Sequence, residues 1–417
     1  MLLHRLAGYN ARPRRANGFV WFRPSSCRRS LLSNVAAALQ SRAVIEITGA
    51  DAKALLQGLM TNDMSLLDKG SADGAAGRPC ISAAFLNPKG RVLGDALVTR
   101  SPRHVAKNKP GYLLDCPLSI AEGLKSHLKL YKLRSKVKIK DATALYDVFV
   151  SGVHDPARGS EKGDEKDVSP RESATGGALA RFSDPRSAAL GVRLIRPKDG
   201  EDSDGVSWPG SDEVVPEERY HALRMLNGVG EGSELLDAIP LEANLDLLGS
   251  ISFAKGCYVG QELTARTQFK GFVRKRMLPV MFPAEGLDGV ASPVGNASDV
   301  PADALVGSSW WPGGSGGAPP LSGCGVVNRA AGGEKLGTLV AVSAEYNVGL
   351  ALLRLGKVLP LGSANQSEGQ GDSKAGPAVD CRLVEEGSEE SESRRCLPLM
   401  PVWWPVDLNP ATGKVPT

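Results

Sequence analysis

One short segment of the chain, Lys255-Gly-Cys-Tyr-Val-Gly-Gln-Glu262, combines residue types that suit an exposed and activated thiol. Gly256 and Gly260 flank Cys257, so the backbone can turn sharply there and another molecule can approach closely. A thiolate is the form of cysteine that binds metals or attacks electrophiles. The segment is therefore the first candidate for a functional site.

The neighbours of Cys257 indicate how such a thiol is tuned. Lys255 and Arg266 supply positive charge, which favours the thiolate. Gln261 and Glu262 are suited to hydrogen-bond the amide-like edge of a ligand. The alternative is that the glycine, the cysteine and the tyrosine form a buried turn in which the cysteine only packs, and composition favours neither alternative.

No second residue in the sequence marks a base for this thiol. None of the histidines stands in a motif typical of a catalytic base. The chain has five: His4, His104, His127, His154 and His221. The seven cysteines form no C-x-x-C pair, which is typical neither of a zinc site nor of a secreted disulfide framework. A reducing compartment such as the mitochondrial matrix fits this usage.

The charge of the N-terminus also indicates a mitochondrial protein. Residues 1–45 contain eight arginines and no acidic residue, so the rest of the chain carries 42 basic and 46 acidic side chains. An arginine-rich, acid-free and serine-containing N-terminus is typical of a mitochondrial presequence, which we assign to residues 1–41. The alternative is a basic arm that contacts nucleic acid or a membrane surface. No apolar run is long enough to predict a membrane span.

The elements that must position the segment predict a mixed α+β architecture that begins near Arg42. Strands are predicted over residues 43–47, 83–86, 91–98, 111–115 and 145–150, the second and third joined as a hairpin by the turn 87–90. Helices are predicted after a capping box at residues 48–51, over 117–131 and over 216–226. After residue 275 only strand-like pieces remain, including 337–342, 348–354 and 399–406, which predicts a small all-β domain.

Four polar or glycine-, proline- and serine-rich stretches interrupt this pattern. They are residues 154–180, 199–215, 284–322 and 361–394. Such compositions bury too little apolar surface to offset the entropy of the chain, so we interpret them as surface insertions.

The Cys257 segment, followed by Thr264-Ala-Arg266 and Arg274-Lys-Arg276, resembles the signature of the YgfZ branch of the GcvT-like, or aminomethyltransferase-like, folate-binding family. Weaker resemblance spans roughly residues 43–355 without the insertions, and it rests on residues 48–63, 87–91, 239–244 and 349–354. The C-terminal stretch after Arg354 matches poorly.

The resemblance implies a fold of three subdomains in a ring around a central cavity, with a small C-terminal β-barrel. It divides the body into a folate-binding α+β region, residues 42–275, and a barrel region, residues 276–417. The mitochondrial members of the branch are iron–sulfur cluster assembly factors that act late in the maturation of 4Fe–4S proteins, with A-type carrier proteins and client apoproteins as partners.

The resemblance also assigns roles to individual residues. Cys257 would be a ligand of a 2Fe–2S cluster shared with the A-type carrier, which fits a single soft thiolate per chain. Tetrahydrofolate would bind in the cavity, with Lys255, Glu262 and Arg266 as its contacts. The motif as a whole comprises Lys255, Gly256, Cys257, Tyr258, Gly260, Gln261, Glu262 and Arg266.

Two rival functions stay open at this point. The first is a folate-dependent aminomethyl or one-carbon transferase, although such enzymes carry paired acidic residues in the hairpin where this chain has Gly94 and Asp95. Proton transfer needs a positioned acid or base, and only one carboxylate is present there. The second is a thiol-dependent scaffold that binds other proteins without any cluster.

Overall fold

The computed structural model of the protein describes most of the predicted body. The described residues are 35–68, 77–105, 107, 109–151, 180–198, 213–282, 295–296, 323–343, 345–359, 380–384, 394–405 and 407–415. Residues 1–34, which hold most of the predicted presequence, and the greater part of the four predicted insertions lie outside this set.

The described elements include both strands and helices up to residue 270 and are mostly strands afterwards. In chain order they are β1 (Val35–Ala38), β2 (Arg42–Thr48), α1 (Ala52–Leu59), β3 (Cys80–Leu86), β4 (Val92–Arg100), α2 (Pro102–Val105), β5 (Gly111–Pro117), α3 (Leu118–Lys132), β6 (Lys138–Asp141), β7 (Tyr146–Ser151), β8 (Ala180–Ser183), β9 (Val192–Pro197), β10 (Glu213–Val214), α4 (Glu217–Leu226), α5 (Gln261–Lys270), β11 (Lys275–Met281), β12 (Gly295–Asn296), β13 (Gly325–Asn328), β14 (Glu334–Val342), β15 (Val348–Arg354), α6 (Leu355–Val358), β16 (Cys381–Val384), β17 (Arg394–Arg395) and β18 (Leu397–Met400).

The first sheet has five antiparallel strands in the order β3-β4-β5-β2-β6. Every residue of β3 and β5 is buried. Apolar residues recur at helical spacing in α1 and α3, and the buried side chains of both helices join the core of this sheet. The predicted strands, hairpin and helices of this region are confirmed.

The predicted capping box at the start of α1 is wrong. Asp51 occupies the N-cap position, but its side chain makes no cap hydrogen bond. The Asp51 carboxylate instead accepts a hydrogen bond from the backbone N–H of Lys136 at 2.7 Å. Thr48, the first residue of the predicted box, belongs to β2 and pairs with Gly111. A contact distant in sequence has replaced the local one.

The second sheet has the order β10-β1-β7-β9-β8. Its strand β1 pairs antiparallel with β7 and parallel with β10. The folded body therefore begins by Val35, before the predicted start near Arg42. An alanine-rich run has low intrinsic strand propensity, so only its pairing and the burial of Ala36 and Ala37 make it a strand.

The third sheet contains eight strands in the order β12-β18-β11-β15-β14-β13-β16-β17, and it forms the predicted β-rich C-terminal region. Several details differ from the prediction. Strand β12 lies inside the predicted insertion 284–322. Strand β16, which pairs with β13, lies inside the predicted insertion 361–394, and the predicted strand 399–406 ends at Met400. Likewise, β10 lies inside the predicted insertion 199–215.

Buried charged residues, together with the hydroxyl group of one buried tyrosine, join the first two sheets to α4. We call this set the charged core, and it comprises Arg42, Asp115, Asp184, Arg186, Arg193, Tyr220, Arg224 and Glu231. Arg42 of β2 pairs with Asp115 of β5 at 2.6 Å and with Glu231 at 3.1 Å. From the second sheet, Arg193 of β9 donates to the hydroxyl of Tyr220 on α4 at 2.6 Å.

Glu231 is the anion on which these contacts converge. Its carboxylate also pairs with Arg186 at 2.6 Å and accepts a hydrogen bond from the Tyr220 hydroxyl at 2.8 Å. Burial by itself opposes ionisation, but the surrounding arginines, Arg42 foremost, hold the pKa of Glu231 well below its usual range. The carboxylate is thus ionised inside the protein and links the first two sheets.

We expect the Arg42→Met variant to lose about 3–5 kcal/mol of unfolding free energy, because the buried carboxylate of Asp115 loses its close partner and that of Glu231 loses one of its arginines. A matched control is Arg196→Met, which removes an exposed pair with Asp147 at 3.9 Å and should cost less than about 1 kcal/mol. Chemical denaturation monitored by circular dichroism measures both. Equal losses in the two variants would show that the charged core does not hold the sheets together.

Candidate functional site

Lys255 fastens the cysteine segment to the end of helix α1. Its ammonium group donates to the carbonyl oxygens of Gln57, Met60 and Asn62 at 2.7, 2.6 and 2.8 Å. It also lies 4.9 Å from the ring centroid of Tyr258. The last carbonyls of a helix have no partner within it, so a lysine satisfies them well. All three donors of the ammonium are used in this way.

Burial lowers the pKa of Lys255 to about 8, with Asp63 opposing the shift. The positive charge predicted to act on the thiol is therefore directed at the end of α1. The predicted role of Lys255 as a folate contact does not fit this geometry, because no donor is left for a ligand.

Backbone contacts fix the segment on both sides of the cysteine. The N–H of Ser252 donates to Thr61 O at 3.0 Å, and the N–H of Val259 donates to Gly58 O at 3.1 Å. Between these anchors, the Cys257 side chain is exposed. The alternative of a buried turn with a packing cysteine is therefore wrong.

The predicted ligand contact Gln261 has a structural partner within the segment. Its Oε1 accepts a hydrogen bond from the N–H of Tyr258 at 3.2 Å. Tyr258 itself is half-buried and packs against the core beneath the third sheet. Both residues support the loop that carries Cys257.

Gly260 packs against the turn of the β3–β4 hairpin. Its φ is +79°, and a Cβ atom there would lie 2.3 Å from Asn87 O. On the other side, a Cβ atom at Gly90 would lie 2.6 Å from the Cβ of Leu263. Only glycine combines this backbone conformation with so close an approach. Gly256 is different, because a Cβ atom there would meet nothing within 4 Å.

Helix α5 follows the cysteine and lies on the surface. Its only buried residue is Thr264. Glu262, in the first turn, and Arg266 are both exposed. A carboxylate in the first turn is favoured by the helix dipole, so Glu262 stabilises the start of α5 whatever else it does.

The eight predicted motif residues thus separate into two groups. Lys255, Tyr258, Gly260 and Gln261 build and anchor the loop, whereas Gly256, Cys257, Glu262 and Arg266 are exposed. Of the three predicted folate contacts, Glu262 and Arg266 are exposed on α5, whereas the ammonium group of Lys255 is bonded to carbonyls at the end of α1. Sequence reasoning predicted the hairpin turn but not its contact with Gly260. It also missed the carbonyls at the end of α1, because backbone groups carry no sequence signal.

The other thiols differ from Cys257 in their surroundings. Cys80, Cys116, Cys381 and Cys396 are buried. Burial raises the pKa of Cys381 to about 12 and that of Cys80 well above its ordinary value. Over the described ranges, no three His, Cys, Asp or Glu side chains come together in a way that could hold a metal ion.

The hairpin carboxylate that a transferase would need is inside the protein. Asp95 is 6% exposed and accepts a hydrogen bond from the N–H of Gly232 at 2.8 Å. Burial, and then the charge of Glu231, raise the pKa of Asp95 to about 6. At Gly94, where a second acid would stand, a Cβ atom would lie 2.6 Å from Ile120 Cδ1.

The arrangement of the sheets defines the class of protein. The solved structure of the glycine cleavage system aminomethyltransferase T from Bartonella henselae is similar, with a TM-score of 0.53 and 12% identity, over 88% of this chain and 86% of that one. At this level of identity the likeness shows the fold alone. It confirms the predicted aminomethyltransferase-like α+β fold class. No protein-family model matches the chain.

Similar sequences identify the family. The mouse protein "Iron-sulfur cluster assembly factor IBA57, mitochondrial" is 35% identical over 60% of this chain and 68% of its own length. The homologue from Mycosarcoma maydis is 31% identical over 88% of this chain and 84% of its own. The human protein is 35% identical over 58% of this chain and 65% of its own. The chain belongs to this IBA57 family of iron–sulfur cluster assembly factors.

The family confirms the resemblance that the cysteine motif indicated. The relatives are named mitochondrial, which agrees with the location predicted from the arginines of the N-terminus. No helix among the described residues has the length and apolar composition needed to cross a membrane.

We expect Gly260→Ala to destabilise the loop by about 2 kcal/mol or more, because alanine strains the positive φ and collides with Asn87 O. Gly256→Ala is the matched control, and its effect should stay within about 0.5 kcal/mol. Thermal unfolding and limited proteolysis measure the effect. If the two variants behave alike, the hairpin turn does not support the loop.

Proposed function

We propose that the protein receives a 2Fe–2S cluster held jointly with an A-type carrier and uses it in the late maturation of 4Fe–4S proteins in the mitochondrial matrix. The exposure of Cys257 on an anchored loop is the observation that carries this proposal. Iron–sulfur clusters are held by thiolates, commonly four of them. Among the cysteines that the structure describes, only Cys257 is exposed, so we infer that the other ligands come from a second protein.

The geometry of the loop favours a ligand over a nucleophile. A nucleophilic cysteine is activated by an adjacent base that is itself oriented by a third group. Cys257 is instead fixed by contacts of its neighbours Lys255 and Val259 with α1. A fixed, accessible thiol is what a shared cluster needs, because the ligand must reach the metal without a large rearrangement of the chain.

The contribution of Arg266 follows from its charge. It lies on the exposed side of α5, nine residues after the cysteine. A cluster bound by four thiolates carries net negative charge, which an exposed guanidinium attracts. Arg266 is thus proposed to hold the cluster or the partner that carries it.

We expect Cys257→Ser to abolish cluster transfer into the complex. In an anaerobic experiment, the protein is mixed with an A-type carrier loaded with a 2Fe–2S cluster, and visible circular dichroism follows the cluster. The wild type should change the spectrum of the loaded carrier, whereas the mixture with the variant should keep the spectrum of the carrier alone. Cys324→Ser, a partly exposed cysteine of the third sheet, is the matched control.

The cluster proposal would be contradicted if the mixture with Cys257→Ser gave the same spectrum and the same complex as the mixture with the wild type. If the complex formed without any cluster in the wild type, the protein would be a thiol-dependent scaffold. Turnover of tetrahydrofolate with an aminomethyl donor would favour the transferase, although Gly94 stands where such an enzyme would carry its second acid.

Tetrahydrofolate binding stays a prediction of the family resemblance, and no step of the proposal passes through it. If Glu262 and Arg266 contact folate, as the resemblance implies, we expect Glu262→Gln and Arg266→Gln each to weaken tetrahydrofolate binding about tenfold in calorimetry, because each loses a charged hydrogen-bonding group. A titration like that of the wild type in both variants would contradict this role. Phe149→Leu, far from α5 in sequence, serves as the control.

A further inference from the structure

We propose that three exposed phenylalanines beside the cysteine loop form the docking surface for the protein that brings the cluster. We call Phe253, Phe269 and Phe272 the aromatic patch. This inference rests on the proposed function and deepens it, since it concerns how the partner is held before any cluster is shared. The occupant is a folded protein whose contact surface is apolar at its centre and acidic at its margin.

The aromatic patch is unusual in its exposure. Phe253 is 38% exposed, Phe269 71% and Phe272 58%. The rings of Phe253 and Phe269 meet edge to face, with centroids 6.1 Å apart. Together the three side chains leave on the order of 300 Å² of apolar surface in contact with water. Phe272 follows Phe269 by three residues, just after the end of α5. An exposed apolar area of this size on a monomer is often functional.

The position of the patch relates it to the thiol. Phe253 precedes Cys257 by four residues on the anchored segment, and its ring contacts α5, which begins four residues after the cysteine. Glu262, Arg266 and Phe269 recur at helical spacing and are all exposed, so they share one face of α5. The helix is about 15 Å long. A standard interface of roughly 800 Å² per partner therefore spans both the thiol and the patch.

The charges near the aromatic patch indicate the charge of the protein that binds there. Within residues 250–281 the only carboxylate is Glu262, whereas Arg266, Lys270 and Arg274 are exposed cations. A cleft of about 480 Å³ continues this basic margin, and its lining includes Arg274, Lys275 and Arg354. An apolar centre with a charged rim is the usual anatomy of a protein interface. Complementarity then requires carboxylates on the partner.

The test separates docking from cluster binding. Affinity for the A-type carrier is measured by calorimetry, with the carrier in its apo form and in its cluster-loaded form. The main variant is Phe269→Ser combined with Phe272→Ser. The matched control is Leu130→Ser on α3, which alters a side chain that is 68% exposed. Far-UV circular dichroism and the rate of Cys257 alkylation show that each variant is folded.

We expect the phenylalanine variant to bind both forms of the carrier at least tenfold more weakly, because truncation of central aromatic residues is costly at interfaces. Leu130→Ser should change the affinity less than twofold. Cys257→Ser should lose the cluster signal but keep its affinity for the apo carrier within threefold. A second variant, Arg266→Glu with Lys270→Glu, should weaken binding most at low salt.

The possible failures are distinguishable. If the phenylalanine variant binds the carrier as the wild type does while Cys257→Ser loses the cluster, docking at the patch is wrong and the proposed function stands. If the wild type binds neither form of the carrier, both are wrong. If light scattering shows a dimer of the wild type that the phenylalanine variant lacks, the occupant is a second copy of this chain, and the proposal is overturned.

Discussion

The arrangement of the described sheets depends on one interaction, the pairing of buried arginines with buried carboxylates. A single ion of this kind inside a protein is costly, and only close pairing offsets the loss of hydration. Arg42 and Asp115 come from the first sheet, Arg193 from the second, and Tyr220 from α4. These groups meet only when the two sheets and the helix stand in one relative position. Because α4 also packs against β15 of the third sheet, it links that sheet to the same assembly.

The first sheet and helix α1 fix the position of the cysteine loop. Helix α1 packs on the first sheet, and the backbone carbonyls at its end hold the ammonium group of Lys255. The hairpin turn of the same sheet receives Gly260. The loop is therefore fixed at both ends by elements that belong to the first sheet or pack on it, and the side chain of Cys257 between them is left accessible. In the proposed function, this accessible thiol is the group that is presented to another protein.

The sequence was most informative where the pattern was local. The β3–β4 hairpin, α1, α3 and α4 were predicted because alternation, helical spacing and turn residues are all read within a few positions. The short strands β1 and β16 were missed. One is rich in alanine, and the other lies in a stretch of polar composition, so their own residues do not specify a strand. Pairing with distant strands makes them part of a sheet.

The sequence by itself determined that Cys257 belongs to a motif shared by a family, because that motif is contiguous and is carried by residue types alone. The tertiary structure decided what each motif residue does. The carbonyls that hold Lys255 lie between 193 and 198 positions earlier in the chain, so no local pattern could reveal that its donors are used. In the same way, folding alone brings Phe253 against Phe269. Exposure and hydrogen-bond partners follow from long-range packing, which the spacing of residues does not specify.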